Sequence, residues 1–105
     1  MAQFTAYQNP NPATRGQYPC LLDVQANLLD ELRTVLIVPL CPSETVSRFT
    51  IARLNPVLEI HGSFFTAMTQ DMAAMHRNQL GPAVCDLADY RSEIIAAVDF
   101  LLAGI

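Results

Sequence analysis

Two histidines, three cysteines and ten acidic side chains are the groups in this chain that could hold a metal, attack a carbonyl or move a proton. His61 and His76 lie fifteen positions apart, and neither sits in a His-x-x-x-His or Cys-x-x-Cys pattern, so no metal site is expected. The cysteines Cys20, Cys41 and Cys85 are odd in number and form no Cys-x-x-Cys motif. They read as buried apolar fillers in a reducing cytosol rather than as a disulfide frame. Pairing Cys85 with either histidine would make a nucleophile, but no local signature supports it and Gly-x-Ser-x-Gly is absent. The four glycines stand apart from one another, so no phosphate-cradling loop exists. The carboxylates Asp30-Glu31 read as a solvated bend, and Asp86 with Asp89 as a helix cap. No catalytic residue and no cofactor is expected. The chain reads as a binding protein rather than an enzyme.

The elements that carry these residues amount to one domain, 1–105, long enough to bury a core without metals or disulfides. A hydrophobic share of 51% and a mean hydropathy of +0.25 are high for so small a protein. Some apolar surface is expected to lie against a second copy in a symmetric dimer. The net charge is −4, and all six basic residues are arginine. With no basic run to neutralise phosphates, direct nucleic-acid binding is disfavoured and a basic protein partner fits better. The opening "MAQFTAYQNPNP" lacks the charge and apolar run of a signal peptide, and no stretch approaches the roughly 18 apolar residues of a membrane span. A cytoplasmic protein is expected.

Alternation and aromatics make "QFTAYQN" (3–9) a first strand, followed by a proline-rich loop over 10–19. "CLLDVQAN" (20–27) is a second strand, and "LLDEL" (28–32) a short exposed bend. "RTVLIVPL" (33–40) is a third strand, apolar enough to be buried on both faces. Residues 41–56 form a connection without a clean period. "VLEIHG" (57–62) and "SFFTAMTQ" (63–70) are strands four and five around a tight turn at His61-Gly62-Ser63. Residues 71–82 read as a short strand and a turn. From Asp86 the periodicity is helical: Leu87, Ile94, Ile95, Val98, Leu101 and Leu102 share one arc, while Phe100 falls on the polar side with Asp89 and Glu93. Asp86 is the expected N-cap, Asp89 a mimic of a capping box, and Gly104 the left-handed terminator on which Ile105 folds back against Phe100. The bare pattern is α+β and mainly β: a small antiparallel sheet or barrel with one C-terminal amphipathic helix.

Apolar residues in exposed places remain: Leu28-Leu29 beside the acidic pair, Phe100 on the helix, and Ile105. Four ordered stretches give them a context. They are "DVQANLLD" (23–30), "VLIVPL" (35–40), "LNPVLEIHG" with "MTQDMA" (54–62 and 68–73), and "EIIAAVDFLLAGI" (93–105). Together they resemble the CcdB family of toxins from bacterial toxin–antitoxin modules, over essentially the whole chain.

The resemblance implies a non-enzymatic homodimer with an SH3-like barrel, a small additional antiparallel sheet and a C-terminal helix. It implies a toxin that binds the dimerisation domain of the DNA gyrase A subunit and traps the enzyme on cleaved DNA. It also implies neutralisation by a CcdA-like antitoxin through a disordered C-terminal segment, with the exposed loops 9–19 and 42–50 as candidate antitoxin surfaces. The gyrase-contacting positions that carry over are Leu28, Leu29, Asp99, Ala103, Gly104 and Ile105, with Phe100 beside them. The best-known member has tryptophan where this chain has Ala103, and asparagine at Asp99. Tryptophan can stack on an arginine, a contact of roughly 0.5–2 kcal/mol. Alanine cannot, but the Asp99 carboxylate can take an arginine bidentately. Two other readings stand beside gyrase poisoning: a CcdB-like protein that binds antitoxin with weak or no gyrase activity, and a MazF/Kid-like endoribonuclease. The lysine-free, acidic composition disfavours the endoribonuclease.

Overall fold

A computed structural model describes residues 3–46 and 50–104. Seven strands run in chain order: β1 (Thr5–Gln8), β2 (Cys20–Asp23), β3 (Thr34–Pro42), β4 (Val57–Ile60), β5 (Ser63–Ala67), β6 (Ala73–His76) and β7 (Ala83–Asp86). The helix α1 (Arg91–Ala103) follows. The strands form one antiparallel sheet that curls as a half-barrel, in the order β4-β5-β3-β2-β1-β7, with β6 alongside β3. The fold is thus α+β and mainly β, as the pattern implied.

Strand β3 is the spine. Its first half pairs with β6 (Thr34↔His76 to Ile37↔Ala73) and its last residues with β5 (Leu40↔Ala67 to Pro42↔Phe65), while β2 covers its other edge. Period-two alternation then sends its side chains to two cores. Val38 and Leu40 join Cys20, Leu22 and Val24 on the concave face, with Phe4, Leu58, Ile60, Leu87 and Ile94. Val35 and Ile37 join Leu21 on the other face, with Met75 and Leu80 against them. This double burial is why "TVLIVPL" reads as a near-continuous apolar run.

The β4–β5 turn is the expected one: His61 and Gly62 both take left-handed φ (51° and 84°) between the paired Ile60 and Ser63. Phe4 is also left-handed (φ 68°), a conformation that costs energy for a bulky residue. It is held by its buried ring, by its N–H to the Asp23 carbonyl (2.6 Å) and by the Leu87 N–H on its own carbonyl (2.8 Å).

Three expectations need correction. Residues Ala83–Asp86 form a strand that the periodicity did not reveal; β7 pairs with β1 across an irregular register. It is led there by Gly81, whose N–H bonds the Gln8 carbonyl at 2.9 Å. A Cβ on Gly81 would sit 2.7 Å from that carbonyl oxygen, so only glycine permits the approach. Next, the α-helix begins at Arg91, after a 3-10 turn at Ala88–Tyr90. Asp86 accepts from the Ala88 N–H (2.8 Å) just ahead of that turn and does not cap α1; neither N-cap residue, Leu87 or Tyr90, makes a side-chain capping bond, and Asp89 makes no capping box. Finally, the buried stripe of α1 centres on Ile94 and Ala97. Leu102, expected in the core, is 75% exposed and Leu101 is exposed, whereas Phe100 is half-buried. Ala97 is buried beside Ile94, on the side of the helix away from Leu102.

The other helix boundary matches expectation. Gly104 is left-handed (φ 72°) and its N–H bonds the Phe100 carbonyl at 2.8 Å. Ile105, and with it the fold-back onto Phe100, lies outside the described residues. Among the described residues no helix is long and apolar enough to cross a membrane.

Candidate functional site

The bend after β2 is built from main-chain turns with side chains bracing it from behind. Residues Asn27–Leu29 make a 3-10 turn, in which the Leu29 and Asp30 N–H groups bond the Ala26 and Asn27 carbonyls at 3.0 Å each. Gln25 spans its mouth. The Gln25 Nε2 donates to the Leu29 and Thr34 carbonyls (3.3 and 3.2 Å), and its Oε1 accepts from the Leu36 N–H (3.1 Å). Arg77, just past β6, reaches the same bend: Nε donates to the Leu32 carbonyl (2.6 Å) and Nη2 to the Leu29 carbonyl (3.0 Å). The Asp30 carboxylate lies 4.0 Å from Nη2. Asn27 is tied to the chain's first described residue, since its Oδ1 accepts from the Gln3 N–H at 2.7 Å.

With its backbone satisfied inward, the bend presents its side chains outward. Leu28 is 92% exposed, and Leu29 and Leu32 are exposed beside it. Large apolar side chains in contiguous exposure mark interaction surfaces. Leu32 was not singled out from sequence; its signal was its place at the end of the same bend.

Beneath the bend, the Asp23 carboxyl is almost fully buried on β2. Burial pushes its pKa up, opposed by the bond from the Gln25 N–H (2.9 Å) and by the Arg77 charge, and reinforced by Asp30. Burial wins, so the carboxyl keeps its proton to a higher pH in the folded chain than in the unfolded one. The stabilisation from that proton is full below the ordinary carboxylate value and is lost as pH rises through the raised one. Asp23→Asn keeps an Oδ1 acceptor for Gln25 and carries no charge. It is expected to raise the thermal midpoint at neutral pH. The gain should disappear in strong acid, which thermal melts across pH will check.

The second group lies along α1. Asp99 and Ala103 are exposed, Gly104 closes the helix, and Leu102 stands exposed between them, a neighbour that the helical wheel had placed inward. Phe100 is held rather than offered: the Arg53 guanidinium lies 4.8 Å from its ring centroid. Among the described residues no hydrogen bond or ring contact joins the bend to Asp99–Gly104. Asn27, through Gln3, instead neighbours the first turn of α1, where Arg91 lies 3.5 Å from the Gln3 side-chain oxygen.

A third feature is a groove of about 530 Å³ on the sheet face away from α1. Leu21, Ile37 and Met75 floor it, and residues of the 10–19 loop wall it. Tyr18 closes one side, donating to the Asp71 carboxylate at 2.9 Å.

Among the described residues no three His, Cys, Asp or Glu side chains cluster as metal ligands. Cys20 and Cys41 are buried and Cys85 half-buried, all as free thiols. Burial pushes the Cys20 and Cys85 thiols up, with Asp86 adding to the rise at Cys85. That is the reverse of what a nucleophile needs. His61 Nε2 is engaged with the Val84 carbonyl at 3.3 Å.

The fold recurs in a solved structure, an endoribonuclease in complex with its cognate antitoxin from a mycobacterial species. The TM-score is 0.73 over 97% of this chain and 94% of that one, at 16% identity, a likeness of fold. A family model described as CcdB protein matches residues 3–104, nearly the full length, and the chain belongs to the CcdB family.

Proposed function

We propose that the protein is the toxin of a type II toxin–antitoxin module, active as a cytoplasmic homodimer that binds the gyrase A subunit and traps gyrase on cleaved DNA. The observation that carries this reading is the bend: a nearly fully exposed Leu28, with Leu29 and Leu32, on a backbone braced from behind. Such residues gain nothing in the free chain and fit an apolar pocket on a partner. Asp30, Glu31 and Asp99, all exposed, surround the two surfaces with negative charge suited to arginines on that partner. The exposed Leu101 and Leu102 support a dimer, in which a second copy adds its own bend and helix tip.

A CcdA-like antitoxin is the second partner. A structurally similar protein is described with its cognate antitoxin, and the groove walled by the 10–19 loop supplies an apolar channel for an extended or helical segment. Of the second candidate loop, 42–50, residues 47–49 lie outside the described set.

Ala103 favours one competing reading, a protein that keeps its antitoxin and has lost gyrase. Ala103 is exposed at the end of α1 beside Leu102, so a larger side chain has room there. Ala103→Trp is expected to tighten binding to the gyrase A subunit by about 2- to 30-fold, the range an added stacking contact would give. Calorimetric titration of the purified proteins measures it. No heat of binding from either wild type or variant would overturn the gyrase reading and leave the antitoxin-only one.

A further inference from the structure

Arg77 is an odd choice for the place it occupies. Its side chain is only 15% exposed, and a buried guanidinium is costly unless its donors and its charge are matched. Here they are matched poorly. Among the described residues the one carboxylate in ion-pair range, Asp30, stands at 4.0 Å, and Nη1 is buried with no hydrogen-bond acceptor. An apolar side chain of similar length would fill the same space without these costs.

What the arginine does achieve is specific. Its main-chain N–H extends the β3–β6 ladder onto the Arg33 carbonyl at 2.9 Å, which fixes its Cα beside the root of the bend. From there the planar fork puts Nε on the Leu32 carbonyl and Nη2 on the Leu29 carbonyl. Those two carbonyls belong to two of the exposed leucines, and the first of them follows Leu28 directly. Gln25 reaches the Leu29 carbonyl as well, but nothing besides Arg77 holds Leu32 from the side-chain layer among the described residues. A lysine could reach one of these oxygens; only a guanidinium can span both from one rigid plane.

We propose that Arg77 is a positioning residue: it clamps the 27–32 bend from behind so that Leu28 and Leu29 meet a protein partner in a preset shape. The proposal rests on the reading that this bend docks on the gyrase A subunit. A preset surface binds with less ordering cost than a loop that must be frozen on contact. The clamp therefore acts on the partner's affinity without touching the partner.

The test uses the full-length protein and Arg77→Met, which keeps the packing and removes the fork, with Arg77→Lys as the conservative variant. Amide hydrogen exchange is read at Leu29, Asp30 and Leu32, and, as a control, at β2 and β3. In Arg77→Met, exchange in the bend should accelerate at least tenfold while the strand amides and the thermal midpoint hold. Arg77→Lys should fall between. Affinity for the purified gyrase A subunit should drop about tenfold in Arg77→Met. In a Leu28→Ala background the same substitution should cost much less, because a clamp matters only through the leucine it presents. Unchanged exchange in the bend, or an undiminished loss in the Leu28→Ala background, overturns the clamp. If wild type itself fails to bind the subunit, the gyrase reading falls, and exchange alone then judges whether Arg77 shapes the bend.

Discussion

Replacing Leu28 and Leu29 together with alanine is expected to abolish growth arrest in cells that express the protein, and to leave the fold intact. The two halves of that expectation have separate causes. In the free protein Leu28 is 92% exposed, so its truncation removes little that is buried, and Leu29, at 44%, loses a modest amount more. Surface changes of this kind usually alter stability by about 0.5 kcal/mol or less. The bend itself is held through carbonyls and N–H groups that alanine retains. On the partner the same side chains would be buried, at about 1.5–3 kcal/mol each. Two of them lost corresponds to roughly 10²- to 10⁴-fold in affinity. A purified double variant should melt with wild type and fail to bind the gyrase A subunit. A variant that melts normally and still arrests growth would remove the bend from the site.

Removing Gly104 and Ile105 should have a comparable effect on growth arrest for a different reason. Gly104 contributes one main-chain bond, to the Phe100 carbonyl, whose loss costs about 0.5–1.5 kcal/mol in a helix end that can fray. The residues that fasten α1, Ile94 and Ala97, lie well upstream, and Arg53 still covers the Phe100 ring. The shortened protein should therefore fold and elute at the same size as wild type. What it loses is the end of the stripe proposed to face the partner, after Asp99 and Ala103. If it still kills cells, the helix tip is not part of the gyrase surface.

These expectations rest partly on what the sequence makes legible. Strands with strong alternation or apolar runs were readable, β3 above all, because its side chains fill two cores at once. So were the His61-Gly62 turn and the Gly104 terminus, where backbone geometry selects few residue types. Strand β7 was not readable: four residues of mixed polarity at a sheet edge carry no period, and it is recruited by the close approach of Gly81 to Gln8. The facing of α1 was read about a fifth of a turn off, because the wheel weighted bulky residues and the buried stripe includes a small one, Ala97. That error hid Leu102 and misplaced Phe100. At the bend, the exposed leucines were visible as an apolar pair against two acids. The bracing by Gln25 and Arg77 was not, since Arg77 acts across a sequence distance of 45–48 residues. The family resemblance rested on ordered stretches along the chain, and it is there that sequence spoke most clearly.

The most direct measurement incubates the purified protein with gyrase, ATP and supercoiled plasmid, traps the complexes with detergent and protease, and resolves the DNA. The account predicts linear plasmid that accumulates with protein concentration, disappears in Leu28→Ala/Leu29→Ala, and is prevented by a cognate antitoxin. Intact plasmid at every concentration would contradict it; degraded RNA in a gyrase-free control would then point to the endoribonuclease, and tight antitoxin binding alone to a toxin fold that no longer engages gyrase.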